Sequence, residues 1–407
     1  MEPSDRTAID ARLRLEGAAG MNTTLRRLAA ACIIAAGALF VTLVYSLSLT
    51  DKNASERDYI QYWAAEQQLA HGQNPYDVAA IYRLEQTRGR EEDFPMVTPS
   101  PPIAFFLAAF LGYVSAKTGL VLWLVMMLGC AALSMLLLWL LHGRPASRWH
   151  VLVFGFPPTL SCLMAGQLGI FFLLEVTAFL YWRRTRPWLA GAALVLCALK
   201  PHLFLPVLVV LLLQSAIERD FRVPGGFIAA LAVCCGLTLA MDRQIWTQYG
   251  AMLRSARLMD LFIPTLGVGL RFLVDRSARW IEFVPEACAC AWAAWYFWSR
   301  RARWQWTREG LLVLMVSVAC APYAWFTDEA ILFPAVLAGI YAAEKSVRAW
   351  VLLGLITAGC LVGVSREVQL PSAFYLWTAP AWMAWYLYAT RVSGGPITPA
   401  SQPNTSA

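Results

Sequence analysis

The chain has 407 residues, of which 59% are hydrophobic and only 14% charged. Soluble domains carry about a quarter charged residues, so this balance excludes an ordinary soluble enzyme and points to a polytopic membrane protein. Lysine and arginine outnumber aspartate and glutamate by 33 to 26, an excess that membrane orientation and anionic lipid explain without nucleic acid.

Residues 1–27 are polar and charged, unlike a signal peptide, and read as a cytoplasmic N-terminal segment. Met21 is an alternative start, and the first span is expected to stay as an anchor. Crossing a hydrocarbon core takes about 20 apolar residues. Twelve candidate runs follow, at 28–49, 118–141, 149–165, 168–182, 188–200, 202–217, 225–241, 281–299, 309–324, 329–343, 348–364 and 372–390. Several are short for a full crossing, which predicts tilted or partly re-entrant helices inside a bundle. The fold expected is therefore all-α, a polytopic bundle of about 12 membrane helices over 28–390, followed by a disordered cytoplasmic tail at 391–407.

Basic residues recur in alternate loops, at Arg26-Arg27, Arg144 with Arg148, Arg183-Arg184, Arg219 with Arg222, Arg300-Arg301, Lys345 with Arg348, and Arg391. The positive-inside rule makes those loops cytoplasmic, and both termini with them. The opposite face then receives two long loops, about 50–117 and 242–280. Within the first, the apolar stretch 101–115 opens on Pro101-Pro102 and is too short to span, so it reads as a re-entrant or surface-lying helix. The ten cysteines all lie in apolar runs, with no disulfide framework and no metal-site spacing. No metal or cofactor is expected.

The stretch Arg57-Asp58-Tyr59-Ile60-Gln61-Tyr62-Trp63 sets a carboxylate among aromatics directly after the first span. Partial desolvation there raises a carboxyl pKa and suits a general base. The competing reading is an interfacial or helix-start acid neutralised by Arg57. Asn74-Pro75-Tyr76-Asp77 reads as a turn. Gln167, in the short connection Gly166-Gln167, can bond a sugar hydroxyl or pack between helices. Lys200 and His202 stand at one end of two apolar runs, where they can meet a phosphate at headgroup level, or Lys200 can simply snorkel. Arg254, Arg257 and Arg271 in the second long loop are further anion candidates. In Ala321-Pro322-Tyr323-Ala324-Trp325-Phe326-Thr327-Asp328-Glu329, adjacent acids interrupt two apolar runs and should face a cavity, or else Thr327 or Asp328 caps the following helix.

In order along the chain, Asp58 with Tyr59 and Tyr62, then Gly72-Gln73-Asn74-Pro75-Tyr76-Asp77, Pro101-Pro102, Gly166-Gln167, Gly191 with Leu199-Lys200-Pro201, and Ala321-Pro322-Tyr323 with Asp328 resemble glycosyltransferase family 87 over about 55–345. The resemblance implies an integral-membrane enzyme of the GT-C type in a bacterial plasma membrane. Such an enzyme uses a polyprenyl-phosphate sugar, often mannose, for inverting transfer to a lipid or glycan acceptor at the outer face. It implies Asp58 as catalytic base. Lys200, with His202 and Arg257, is then expected at the donor phosphate, and Tyr59, Tyr62, Gln167, Tyr323 and Asp328 at the sugar or acceptor. The chain departs from the family pattern at Ser100-Pro101-Pro102 and at Phe326-Thr327-Asp328. Competing functions are a lipid-linked-sugar flippase, which would favour midplane charges in paired halves, a polysaccharide ligase, whose principal outer loop would lie late in the chain, and a non-catalytic scaffold.

Overall fold

Long apolar runs rich in Leu, Ala and Val, without strand-like alternation, satisfy their backbone groups internally by coiling, as a membrane requires. The computed structural model describes residues 50–96, 99–255, 262–366, 368 and 370–392, and among them every regular element is helical. The predicted first span 28–49, Arg257 and the tail beyond 392 lie outside the described residues.

Among the described residues, three helices are long and apolar enough to cross a membrane: Ala116–Leu141, Arg222–Met241 and Val347–Ser365. The all-helical architecture is borne out among the described residues, whereas the count of about twelve membrane helices is not confirmed, because most of the other apolar runs described are shorter or composite. Residues of the predicted 149–165 run form a 3-10 segment, Trp149–Gly155, and then a separate α-helix, Pro157–Ala165. Phe326–Leu332 is likewise followed by Phe333–Ala342, and Pro201–Leu203 by Leu205–Glu218. Each of the three new α-helices has proline in its first turn. Proline lacks the N–H needed to continue a hydrogen-bond ladder but is tolerated at a helix start. Hydropathy sums side chains and does not see that interruption.

Packing sorts these helices into inner and outer ones. Gly169–Trp182 and Phe333–Ala342 are buried along most of their length. Arg222–Met241 buries only Pro224, Gly226 and Thr238 and turns Ile228, Val233 and Leu237 outward, a face suited to hydrocarbon.

Helix Tyr59–Ala70 lies on the 101–115 stretch. Trp63 Nε1 donates to the Val114 carbonyl at 2.9 Å and Gln67 Nε2 to the Leu111 carbonyl at 2.8 Å. The stretch itself is not one helix but three short pieces, Pro102–Ala104, Phe105–Ala108 and Ala109–Tyr113. Asn74-Pro75-Tyr76-Asp77 is the turn its residues suggest: Asn74 Oδ1 accepts the Tyr76 N–H, and Asp77 caps helix Val78–Thr87 through the Ala79 and Ala80 N–H groups. The cysteines among the described residues are all free thiols.

Candidate active site

Asp58 precedes helix Tyr59–Ala70 with helical backbone angles, φ −57 and ψ −23, and its side chain makes no capping bond. The carboxylate is thus left for tertiary contacts. Gln167 Nε2 donates to Asp58 Oδ2 at 2.6 Å. Tyr62, one helical turn beyond Asp58, donates its hydroxyl to Gln167 Oε1 at 3.2 Å. With its oxygen held by Tyr62, the amide can present only its nitrogen to Asp58. The Tyr62 ring is itself stacked on Trp123, with centroids 5.4 Å apart and planes at 25°.

Two glycines bring Gln167 to this place. Gly166 ends helix Pro157–Ala165 in the left-handed conformation, φ 72, and a Cβ there would lie 2.6 Å from Tyr59 Cβ. A Cβ on Gly169 would lie 2.1 Å from the Thr327 carbonyl oxygen. The turn Gly166-Gln167-Leu168-Gly169 is therefore wedged between the segment carrying Asp58 and the segment carrying Asp328, and only glycine permits both approaches.

Asp328 is fully buried. Its two oxygens each accept from Lys200 Nζ at 2.8 Å, and Oδ2 also accepts the Trp325 N–H at 3.0 Å. It thus closes the first turn of Phe326–Leu332, as the capping alternative had it, and also binds Lys200, a pairing that sequence reasoning did not foresee. Lys200 Nζ sits 5.7 Å from the Tyr323 ring centroid, and the His202 ring meets Tyr323 edge-on at 5.6 Å. Trp325 Nε1 donates to the Tyr323 hydroxyl at 2.8 Å.

Burial raises the Asp58 carboxyl above the usual carboxylate range, and the Gln167 hydrogen bond and the positive charge of Lys200 oppose that rise. Tyr62 is raised well above an ordinary phenol by burial and by the nearby charges of Asp58 and Asp328. The His202 imidazole is pushed down to about 4 by burial and by Lys200, so at neutral pH it offers hydrogen bonding and not charge. Its Nε2 is buried without a partner.

Other expected residues lie apart. Tyr59 packs its Cβ against Gly166 but is fully buried and donates its hydroxyl to the Ala116 carbonyl at 3.1 Å. Arg57 does not neutralise Asp58. Its guanidinium donates to the Met164 carbonyl at 2.6 Å. Arg271 is paired with Glu282 at 2.9 Å, Arg254 is exposed, and Arg257 is outside the described residues. Sequence reasoning missed Trp123, which supports Tyr62 and donates to the Gly166 carbonyl at 2.9 Å, and Cys162, whose thiol donates to the Gln167 carbonyl at 2.9 Å. Each reads as one more apolar residue in a span, and nothing local marks it out.

The model of glycosyltransferase family 87 matches residues 100–324, more than half of the chain. The chain belongs to glycosyltransferase family 87. Neither the curated proteins nor the solved structures yield a significant match. As a family 87 protein with three span-length apolar helices, it is a membrane glycosyltransferase. The matched region includes Gln167, Lys200 and Tyr323 and leaves out Asp58, Tyr62 and Asp328. Tertiary contacts alone tie the two groups together.

Proposed function

We infer that the enzyme moves a hexose, with mannose the first sugar to test, from a polyprenyl-phosphate donor to a hydroxyl of a lipid or glycan acceptor. Transfer takes place on the non-cytoplasmic face and inverts the anomeric centre. The observation that carries this reading is a partly accessible carboxylate, Asp58, aimed by an amide whose orientation Tyr62 sets, beside a lysine with donor capacity to spare.

In the reaction, the acceptor O–H gives its proton to Asp58 as its oxygen bonds to the anomeric carbon. The bond from that carbon to the phosphate oxygen breaks, and its electron pair leaves with the lipid phosphate. Elevation of the Asp58 pKa by burial makes it a stronger base than a solvated carboxylate, and the Gln167 bond, which favours the anion, opposes that rise. An ammonium has three N–H bonds, of which two go to Asp328. The third can meet the departing phosphate, where a fixed cation stabilises charge without reorganisation. Tyr323 and Trp325, half-buried with ring centroids 5.5 Å apart, lie beside Lys200 and suit the apolar side of a sugar ring.

The test is transfer of labelled mannose from polyprenyl-phosphate mannose into membrane lipid or glycan, comparing membranes that carry the wild type, Asp58→Asn, or no enzyme. Incorporation present in the first and lost in the second supports the assignment. Full activity in a folded Asp58→Asn variant would refute Asp58 as base, and wild-type incorporation no higher than in empty membranes would refute this donor and acceptor pair.

A further inference from the structure

Helix Ala116–Leu141 begins beside Tyr59 and ends, about 39 Å away by its rise per residue, at a second feature unrelated to the Asp58 cluster. There the chain turns through Gly143 and Arg144, with φ 77 and 58. A left-handed arginine is strained, and its neighbours hold it. The Arg144 N–H donates to the Trp139 carbonyl at 2.9 Å, and Trp139 Nε1 donates to the Pro145 carbonyl at 3.2 Å. His142 and His150 share a hydrogen bond of 3.0 Å across the base of the loop, and Ser147 bonds the Tyr341 hydroxyl at 3.1 Å. The loop is thereby built in advance of any ligand.

Between this loop and the helix end lies a cavity of about 480 Å³, within the usual range of about 300–1,000 Å³ for ligand sites. Its walls are of two kinds. Met135, Leu136 and Trp139 come from the last turns of the span-length helix and are apolar, while Arg144, Arg148 and His150 supply the polar part. No carboxylate lines the cavity, and neither arginine forms an ion pair among the described residues. The Arg144 guanidinium stands over the Trp139 ring at 5.9 Å, which leaves its N–H groups available. Strained backbone that is rigidly supported and ends in unpaired cationic groups is characteristic of a ligand site.

We propose that this cavity binds an anionic phospholipid, its phosphate held by Arg144 and Arg148 and its acyl chain laid along Met135 and Leu136. Phosphate chemistry alone would also suit a soluble phosphate. The apolar wall decides for lipid: Leu136 is 44% exposed on a helix long enough to cross the bilayer, and Trp139 follows it at the depth where tryptophan anchors to the membrane interface. Basic pockets at helix ends are suited to such headgroups.

Native mass spectrometry of the full-length protein in detergent, titrated with phosphatidylglycerol, phosphatidylcholine or inorganic phosphate, tests the proposal. The variant is Arg144→Asn with Arg148→Gln; asparagine accepts the left-handed backbone, so charge is removed without added strain. Arg219→Asn, which removes one charge at another left-handed arginine (φ 54), is the control for backbone and charge. The wild type and the control should retain phosphatidylglycerol in preference to phosphatidylcholine, and the double variant should bind it about thirtyfold more weakly. Equal retention by wild type and double variant overturns the proposal, as does equal retention of the two lipids. Phosphate competing as well as the lipid would identify a soluble anion as the ligand and overturn it too. Equal loss in Arg219→Asn would reduce the effect to net charge.

Discussion

Asp58 and Asp328 stand in one cluster and are held in opposite ways. Asp58 is partly accessible and receives a neutral donor, the Gln167 amide, while Asp328 is fully buried and receives a full positive charge from Lys200 together with a backbone N–H. A neutral donor on one oxygen leaves a carboxylate basic and its other oxygen open to a substrate. A bidentate ion pair uses the carboxylate up. The contrast supports the proposal that Asp58 takes the proton, with Asp328 as the anchor that fixes Lys200.

Asp58→Asn is expected to break this division most completely, lowering turnover by roughly 10²–10⁴-fold, the usual worth of a general base. Its stability should move the other way. Burial holds the folded-state pKa of Asp58 above the unfolded value, so the stability linked to it is full below the unfolded pKa and declines as pH rises through the folded one. At neutral pH the ionised group is a cost, and Asp58→Asn should raise the thermal midpoint in the same membranes or detergent.

Lys200→Met leaves Asp328 buried without its partner and should cost about 3–5 kcal/mol. Adding Asp328→Leu should recover folding, read by thermal midpoint, without recovering transfer, which separates the anchor role from the cation's role at the phosphate. Gly169→Ala drives a methyl against the Thr327 carbonyl and should cost about 1–3 kcal/mol while loosening Gln167 and Asp328 together.

Gln167→Leu sharpens the comparison. It removes the bond that favours the Asp58 anion, so the carboxyl pKa rises further. The acid limb of kcat/KM should then move to higher pH, with activity near neutrality down roughly tenfold, as for loss of a charge-assisted hydrogen bond. A pH profile that does not move would show that Gln167 only packs. Tyr62→Phe frees the amide without removing it and should cost least, about 1 kcal/mol, or severalfold in rate.

Much of the cluster was legible before the fold was known. Asp58, Gln167, Lys200 and Asp328 drew attention as polar groups beside or between apolar runs, Tyr62 and Tyr323 through the family resemblance, and the structure brings all six together. Tyr59 drew the same attention, but its hydroxyl is directed elsewhere. On a helix, Asp58 and Tyr62 are four residues apart and share a face, whereas Tyr59 is turned about 100° away, into Ala116 and the core. Proximity in sequence was the wrong measure, and helical phase the right one. Trp123 and Cys162 were invisible because their function lies in what they support.

From composition and apolar periodicity alone, the sequence determined that the chain is helical, that it belongs in a membrane, and which short connections carry polar groups. These follow from the transfer of side chains and backbone out of water, which is additive along the chain. Tertiary structure decided the rest: that Arg57 serves the Met164 carbonyl and leaves Asp58 to Gln167, that Lys200 and Asp328 pair, and that several apolar runs break at proline into shorter pieces. Those outcomes depend on which groups meet across more than a hundred residues of chain, and on two glycines whose lack of a Cβ lets backbones touch. Neither quantity is additive, so neither can be read along the sequence.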